Sequence, residues 1–124
     1  GIREAIELHR SGRLAEAAAA YQRMLAALPD EPQLLLGFGT LLLQTGELQR
    51  GLALLDRLLA VAPNHPVALS NRGNALRSLG RAAEGLASYD RAIAAIERSL
   101  DVLRVQQTAS VEQSSPRDVD EEPC

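Results

Sequence analysis

The residues of this chain equipped for acid–base, nucleophilic or metal chemistry are two histidines, one cysteine and sixteen carboxylates. Their spacing supports none of these chemistries. His9 has no cysteine or second histidine at the short separations of a zinc site. His65 stands 56 positions further on, between Asn64 and Pro66, and reads as an exposed loop histidine. Cys124 is the last residue; one thiol makes neither an internal disulfide nor a metal site, and a frayed end is the plain reading. Glu16, Glu47 and Glu84 recur where helices should begin, a position the helix macrodipole favours for acids. No glycine-rich phosphate loop follows a strand, because no segment has a strand pattern. The expectation is a chain with no catalytic residue, no metal and no cofactor, and not an enzyme.

Binding is the remaining class of function. A formal net charge of -3 gives no electrostatic reason to meet nucleic acid. Arg23, Arg57 and Arg91 form a spaced row, yet Asp56 and Asp90 adjoin two of them, and aromatics for base stacking make up only 2% of residues. No apolar run approaches the ~20 residues of a membrane span. No signal peptide is visible although the chain begins at Gly1, so the expected compartment is the cytoplasm. All 13 basic residues are arginine, a composition typical of GC-rich coding and pointing to a bacterial source.

The elements that must carry any binding surface follow from one period. Gly12, Gly46 and Gly80 are spaced by 34 residues, and the same step links Leu8, Leu42 and Leu76, then Ala17, Gly51 and Gly85, then Tyr21, Leu55 and Tyr89. Alanine and leucine supply most of the apolar content, which suits close helix packing better than a sheet. Each unit reads as two helices, with glycine just past the first and proline after the second. Short turns make the pair antiparallel. The units cover about 1–31, 32–65 and 66–99. Gly39 and Gly73 lie within first helices, where glycine costs about 1 kcal/mol against alanine. Gly51 and Gly85 lie on the partner helices, so paired small residues are expected to let the axes approach closely. Tyr21, Leu55 and Tyr89 would fill the gap to the next unit.

These features, clearest in the stretch Gly73 to Ile93, resemble the tetratricopeptide repeat family over about residues 1–99. The resemblance implies an all-α, right-handed solenoid of about three helix-turn-helix repeats that binds proteins or peptides in a concave groove lined by the first helices. The peptide-binding residues it implies are Leu36, Thr40 and Leu43 in the second repeat and Ser70, Asn71, Asn74 and Arg77 in the third, with Ile2, Ile6, His9 and Arg10 in the first. A subclass holds acidic chaperone C-termini with a clamp of Lys, Asn and Arg. Ile2, Ile6 and Thr40 occupy clamp positions here, and the chain contains no lysine, so that clamp is absent. The third repeat is similar to the asparagine-bearing repeats attached to O-linked GlcNAc transferases and their bacterial relatives, although Arg3 and Gly37 interrupt the ladder. Two functions stay open: an adaptor or scaffold, and the substrate-recruiting arm of a larger enzyme such as a glycosyltransferase.

The third unit lacks its closing proline, with Glu97 at that place. Ile93, Ile96, Leu100 and Leu103 continue at steps of three, four and three, so the last helix is expected to run on to about 105–107. That apolar stripe either caps the array or pairs with a second copy as a homo-oligomer. Residues 108–124 hold five acids and one arginine and read as a disordered acidic tail.

Overall fold

The structure, a computed structural model, describes the backbone of residues 1–114 and the side chains of residues 1–110. Six helices succeed one another: α1 (Ile2–Arg10), α2 (Leu14–Ala27), α3 (Pro32–Gln44), α4 (Leu48–Val61), α5 (Pro66–Ser78) and α6 (Ala82–Ser114). They pair as α1–α2, α3–α4 and α5–α6, and each pair packs on the next, α2 on α3 and α4 on α5. This is the all-α helical repeat that the 34-residue period predicts.

The turns inside the pairs are copies of one another. Gly12, Gly46 and Gly80 take φ of +84°, +87° and +80°, a left-handed conformation that side chains disfavour. The following amide reaches back to the helix it has left: Arg13 N to Leu8 O at 3.0 Å, Glu47 N to Leu42 O at 2.8 Å, Arg81 N to Leu76 O at 2.8 Å. Carbonyls left open at a helix end are satisfied in this way. The first helices of the second and third pairs begin with proline at the first turn, and Glu31 and His65 are their caps. His65 Nδ1 accepts from Ala68 N at 3.2 Å. His65 is therefore a half-buried capping residue and not the exposed loop histidine expected, because its ring folds over the orphan amides of α5.

The core runs through the array as leucine, alanine and Tyr21. Leu34, Leu35, Leu42, Leu55, Leu58, Leu69 and Leu76 are fully buried. Within each pair the helices cross at small residues. A Cβ on Gly51 would lie 2.9 Å from Gly39 O, and one on Gly85 would lie 2.9 Å from Gly73 O. Ala5 and Ala17, both fully buried, hold the corresponding positions in the first pair.

The last helix extends to Ser114, beyond the 105–107 expected, so residues 108–114 are helical rather than part of a disordered tail. With no proline or glycine between Ile93 and Ser114, nothing in the sequence stops that helix earlier. The expectation for residues 115–124 lies outside the described residues. The overlong helix does not cap the array by folding onto it: Leu100 and Leu103 remain 52% and 59% exposed.

Candidate binding groove

The array curves, and the contacts between helices fix the direction. α1 touches α3 and α3 touches α5, while, among the described elements, α2 does not reach α4 and α4 does not reach α6. First helices that approach one another while second helices splay apart make the first-helix face the inner one. The groove is therefore lined by α1, α3 and α5.

Two hydrogen bonds cross that face like rungs. His9 Nε2 lies 2.7 Å from Gln44 Oε1, joining α1 to α3. Asn71 Nδ2 donates to Thr40 Oγ1 at 3.2 Å, joining α3 to α5. A third bond rises from behind the face: the Tyr89 hydroxyl of α6 donates to Asn74 Oδ1. The Tyr21 hydroxyl of α2 lies 3.1 Å from His9 Nδ1. In the tautomer whose Nε2–H donates to the Gln44 carbonyl oxygen, His9 Nδ1 accepts from the Tyr21 hydroxyl, and burial raises the pKa of that hydroxyl above its ordinary value.

The sequence-derived site residues divide accordingly. Thr40 and Asn71 are half-buried and engaged with each other; Asn74 is exposed and held by Tyr89; Arg77 is exposed at the C-terminal end of α5. Each asparagine amide has more donor and acceptor capacity than its one intramolecular bond uses. Ser70 and Asn71 line a groove of about 380 Å³ with Val67, Tyr89, Ile93 and Ile96, at the border between the inner face and the end of the array. Leu36 is half-buried against the core around Leu55 and Leu69, leaving part of its side chain on the face. Leu43 turns towards α4, its Cδ2 2.7 Å from the position of a Cβ on Gly51, so it is chiefly a packing residue at the groove edge. Ile2, Ile6 and Arg10 line a second hollow of about 470 Å³ with Gln33 at the other end.

Three aromatic residues behind the face escape the sequence reading of the site. Tyr21 and Tyr89 do more than fill gaps between repeats, because their hydroxyls hold residues of the face from behind, Tyr21 meeting His9 and Tyr89 meeting Asn74. They pass where a side chain is missing: a Cβ on Gly37 would lie 2.7 Å from the Tyr21 hydroxyl, and one on Gly73 would lie 2.6 Å from Tyr89 Cε1. Phe38 stacks on Tyr21 with ring centroids 5.8 Å apart. The signal for the tyrosines was their recurrence 68 residues apart, opposite the glycines.

The arginine row has a structural role on the other side. Arg57 and Arg91 donate to the carbonyls of Pro29 and Pro63, closing the loops between repeats. Among the described residues no group of three or more His, Cys, Asp or Glu is placed to hold a metal. No described helix is long and apolar enough to cross a membrane.

Antiparallel helix pairs, stacked at a 34-residue period with an inner face carried by the first helix of each, define a helical-repeat array. The tetratricopeptide repeat profile matches residues 8–71, and the chain belongs to that family. Among solved structures, the O-GlcNAc transferase of Thermobaculum terrenum is similar over 76% of this chain, at 29% identity and a TM-score of 0.72. This chain spans only 18% of that protein. The first TPR of Spaghetti (RPAP3), bound to an HSP90 peptide, aligns over 87% of this chain and 89% of its own, at 18% identity and a TM-score of 0.72. MamA AMB-1 aligns over 93% of this chain and 71% of its own, at 21% identity and a TM-score of 0.70. These last two likenesses are of fold alone. No curated protein matches the sequence.

Proposed function

We propose that this chain is a non-catalytic interaction module that holds an extended or amphipathic peptide segment of a partner protein along its inner face. The observation that carries this reading is the juxtaposition of Thr40, Asn71 and Asn74 on adjacent first helices, with Leu36 beside them. Side-chain amides offer both donors and an acceptor, so they can pair with a peptide backbone whatever its sequence. Leu36 supplies apolar contact, and Arg77 meets a carboxylate or carbonyl. Because no lysine exists in the chain, an acidic peptide such as the HSP90 peptide bound by the RPAP3 repeat is not the favoured ligand; backbone recognition with one apolar anchor is.

A second reading, the substrate-recruiting arm of a larger enzyme, is favoured by the likeness to the transferase at 29% identity over 76% of this chain. The two readings share the groove and differ in what lies beyond it.

The test is selection of a displayed random peptide library on the full chain, followed by titration of a selected peptide. Leu36→Ala, Asn71→Ala, Asn74→Ala and Arg77→Ala should weaken binding, each by ~1–3 kcal/mol for a residue at the centre of the contact. Arg23→Ala, exposed on the outer helix α2, should leave it unchanged. Wild-type affinity in all four groove variants would refute the groove reading.

A further inference from the structure

The last helix carries an apolar stripe that no described residue covers, and the repeat indicates what would cover it. Leu52 and Leu59 on α4 are 8% and 9% exposed, packed with residues of α5 in the core; their counterparts one repeat later, Leu86 and Ile93, are 60% and 54% exposed. Ile96, Leu100 and Leu103 carry the stripe onward, each about half exposed. From Leu86 through Tyr89 to Leu103 the steps alternate three and four, the seam along which a second helix packs lengthwise. The seam is about 26 Å long at ~1.5 Å per residue.

The helix that belongs on it is encoded in the same period. Leu34, Ala68 and Val102 are spaced by 34, as are Leu35, Leu69 and Leu103. The first two members of each set are fully buried residues of α3 and α5. Residues 100–110, one repeat beyond the first part of α5, keep its apolar type at Val102, Leu103 and Ala109, with Gln107 and Ser110 where Gly73 and Leu76 stand. What they lack is the turn. Ala62-Pro63-Asn64-His65 is replaced by Ile96-Glu97-Arg98-Ser99, and α6 runs straight through. The segment is carried away from the face it matches.

We propose that two copies of this chain exchange these segments: residues 98–110 of each lie antiparallel across the Leu86–Ile96 face of the other, as α5 lies across α4. Leu59 clusters with Leu69, so moving each by one repeat sets Ile93 against Leu103 of the second copy. The same step turns the 2.8 Å Asp56–Arg72 ion pair between α4 and α5 into Asp90 facing Gln106, still acceptor and donor. The other end of the array cannot serve as the second copy's contribution. There α1 presents exposed Glu4 and Glu7 where α3 presents buried Phe38 and Leu41, and stacking on them would desolvate the Glu4 carboxylate and the Glu7–Arg10 ion pair. Association through α6 alone is isologous and closes at two copies.

Light scattering on the full chain should give twice the chain mass. In a Cys124→Ser background, Ile93→Cys combined with Leu103→Cys should form a covalent dimer on mild oxidation. The two positions are ten residues apart on one helix, about 15 Å, so a bridge forms only between copies. Either cysteine alone should cross-link poorly. Grafting the earlier turn onto the last helix (Ile96→Ala, Glu97→Pro, Arg98→Asn, Ser99→His) should let the segment fold back and convert the dimer to a monomer. A wild-type chain that stays monomeric at its highest soluble concentration overturns the proposal, whatever covers the stripe. So does a dimer in which the single cysteines cross-link as well as the pair, or one that the folded graft leaves intact. If the graft does not fold, the cysteine pair decides. Loss of peptide binding in the groove variants bears on neither outcome.

Discussion

The Asn71 amide on α5 donates to the Thr40 hydroxyl on α3 at 3.2 Å, so two neighbouring repeats are joined on the inner face by side chains rather than by core packing alone. The pair is half-buried and its geometry is set by the stacking of α3 on α5. A ligand that took the Asn71 amide for itself would have to replace this bond.

Thr40→Val and Asn71→Ala should each cost about 0.5–1.5 kcal/mol of stability, the net worth of a typical hydrogen bond. The double variant should cost less than the sum, because each single change already removes the shared bond. Urea unfolding of the four proteins measures the difference. Strict additivity would mean that the bond contributes nothing in solution.

His65 gives a second test. Its Nδ1 accepts the Ala68 amide at the start of α5. His65→Ala should destabilise by ~1 kcal/mol, and His65→Asp or His65→Asn should restore the loss, since both are strong caps. Thermal denaturation of the three variants decides. An alanine variant as stable as wild type would show that water serves the amide equally well.

The helices, the turns and the register were legible in the sequence because each depends on residue type at a fixed spacing: glycine at 12, 46 and 80, proline at 32 and 66, leucine at 35 and 69. The positions of the groove residues on first helices followed from that register. Their partners did not. That Thr40 meets Asn71, or that Tyr89 reaches Asn74, depends on how far apart the axes of neighbouring helices lie, and no local pattern encodes that distance. Nor does residue type mark His65 as a cap, because histidine is uncommon in that role. Polar composition after Gln107 does not end α6, because no glycine or proline stands there before Pro116.

The two tyrosines under the groove should differ in worth. Tyr21 is 1% exposed and its hydroxyl serves His9, whereas Asn74, the partner of Tyr89, is exposed and can turn to water. Tyr21→Phe should cost about 1 kcal/mol and Tyr89→Phe less, because an unsatisfied group is costly only where water cannot reach it. Paired urea titrations of the two variants check the order. The reverse order would show that the His9 contact is solvated.

The helix crossings make the sharpest prediction, because glycines that look equivalent in sequence are not equivalent in space. Gly39 and Gly51 both sit at the α3–α4 crossing. A Cβ on Gly39 would meet Leu55 at 3.4 Å and the Gly51 carbonyl at 3.5 Å, ordinary contact. A Cβ on Gly51 would meet the Gly39 carbonyl at 2.9 Å and Leu43 at 2.7 Å, so backbone as well as side chain would have to move. Alanine at position 39 therefore keeps the helix-propensity gain of up to ~1 kcal/mol with little strain. At position 51 the same gain is set against overpacking of typically ~1–3 kcal/mol. Gly39→Ala should be neutral or stabilising, and Gly51→Ala destabilising. Gly85→Ala should follow Gly51→Ala, since its Cβ would lie 2.9 Å from Gly73 O. Melting temperatures of the three variants test this directly. If Gly51→Ala melts with or above Gly39→Ala, the crossing is looser than its geometry, and small residues there reflect something other than close approach.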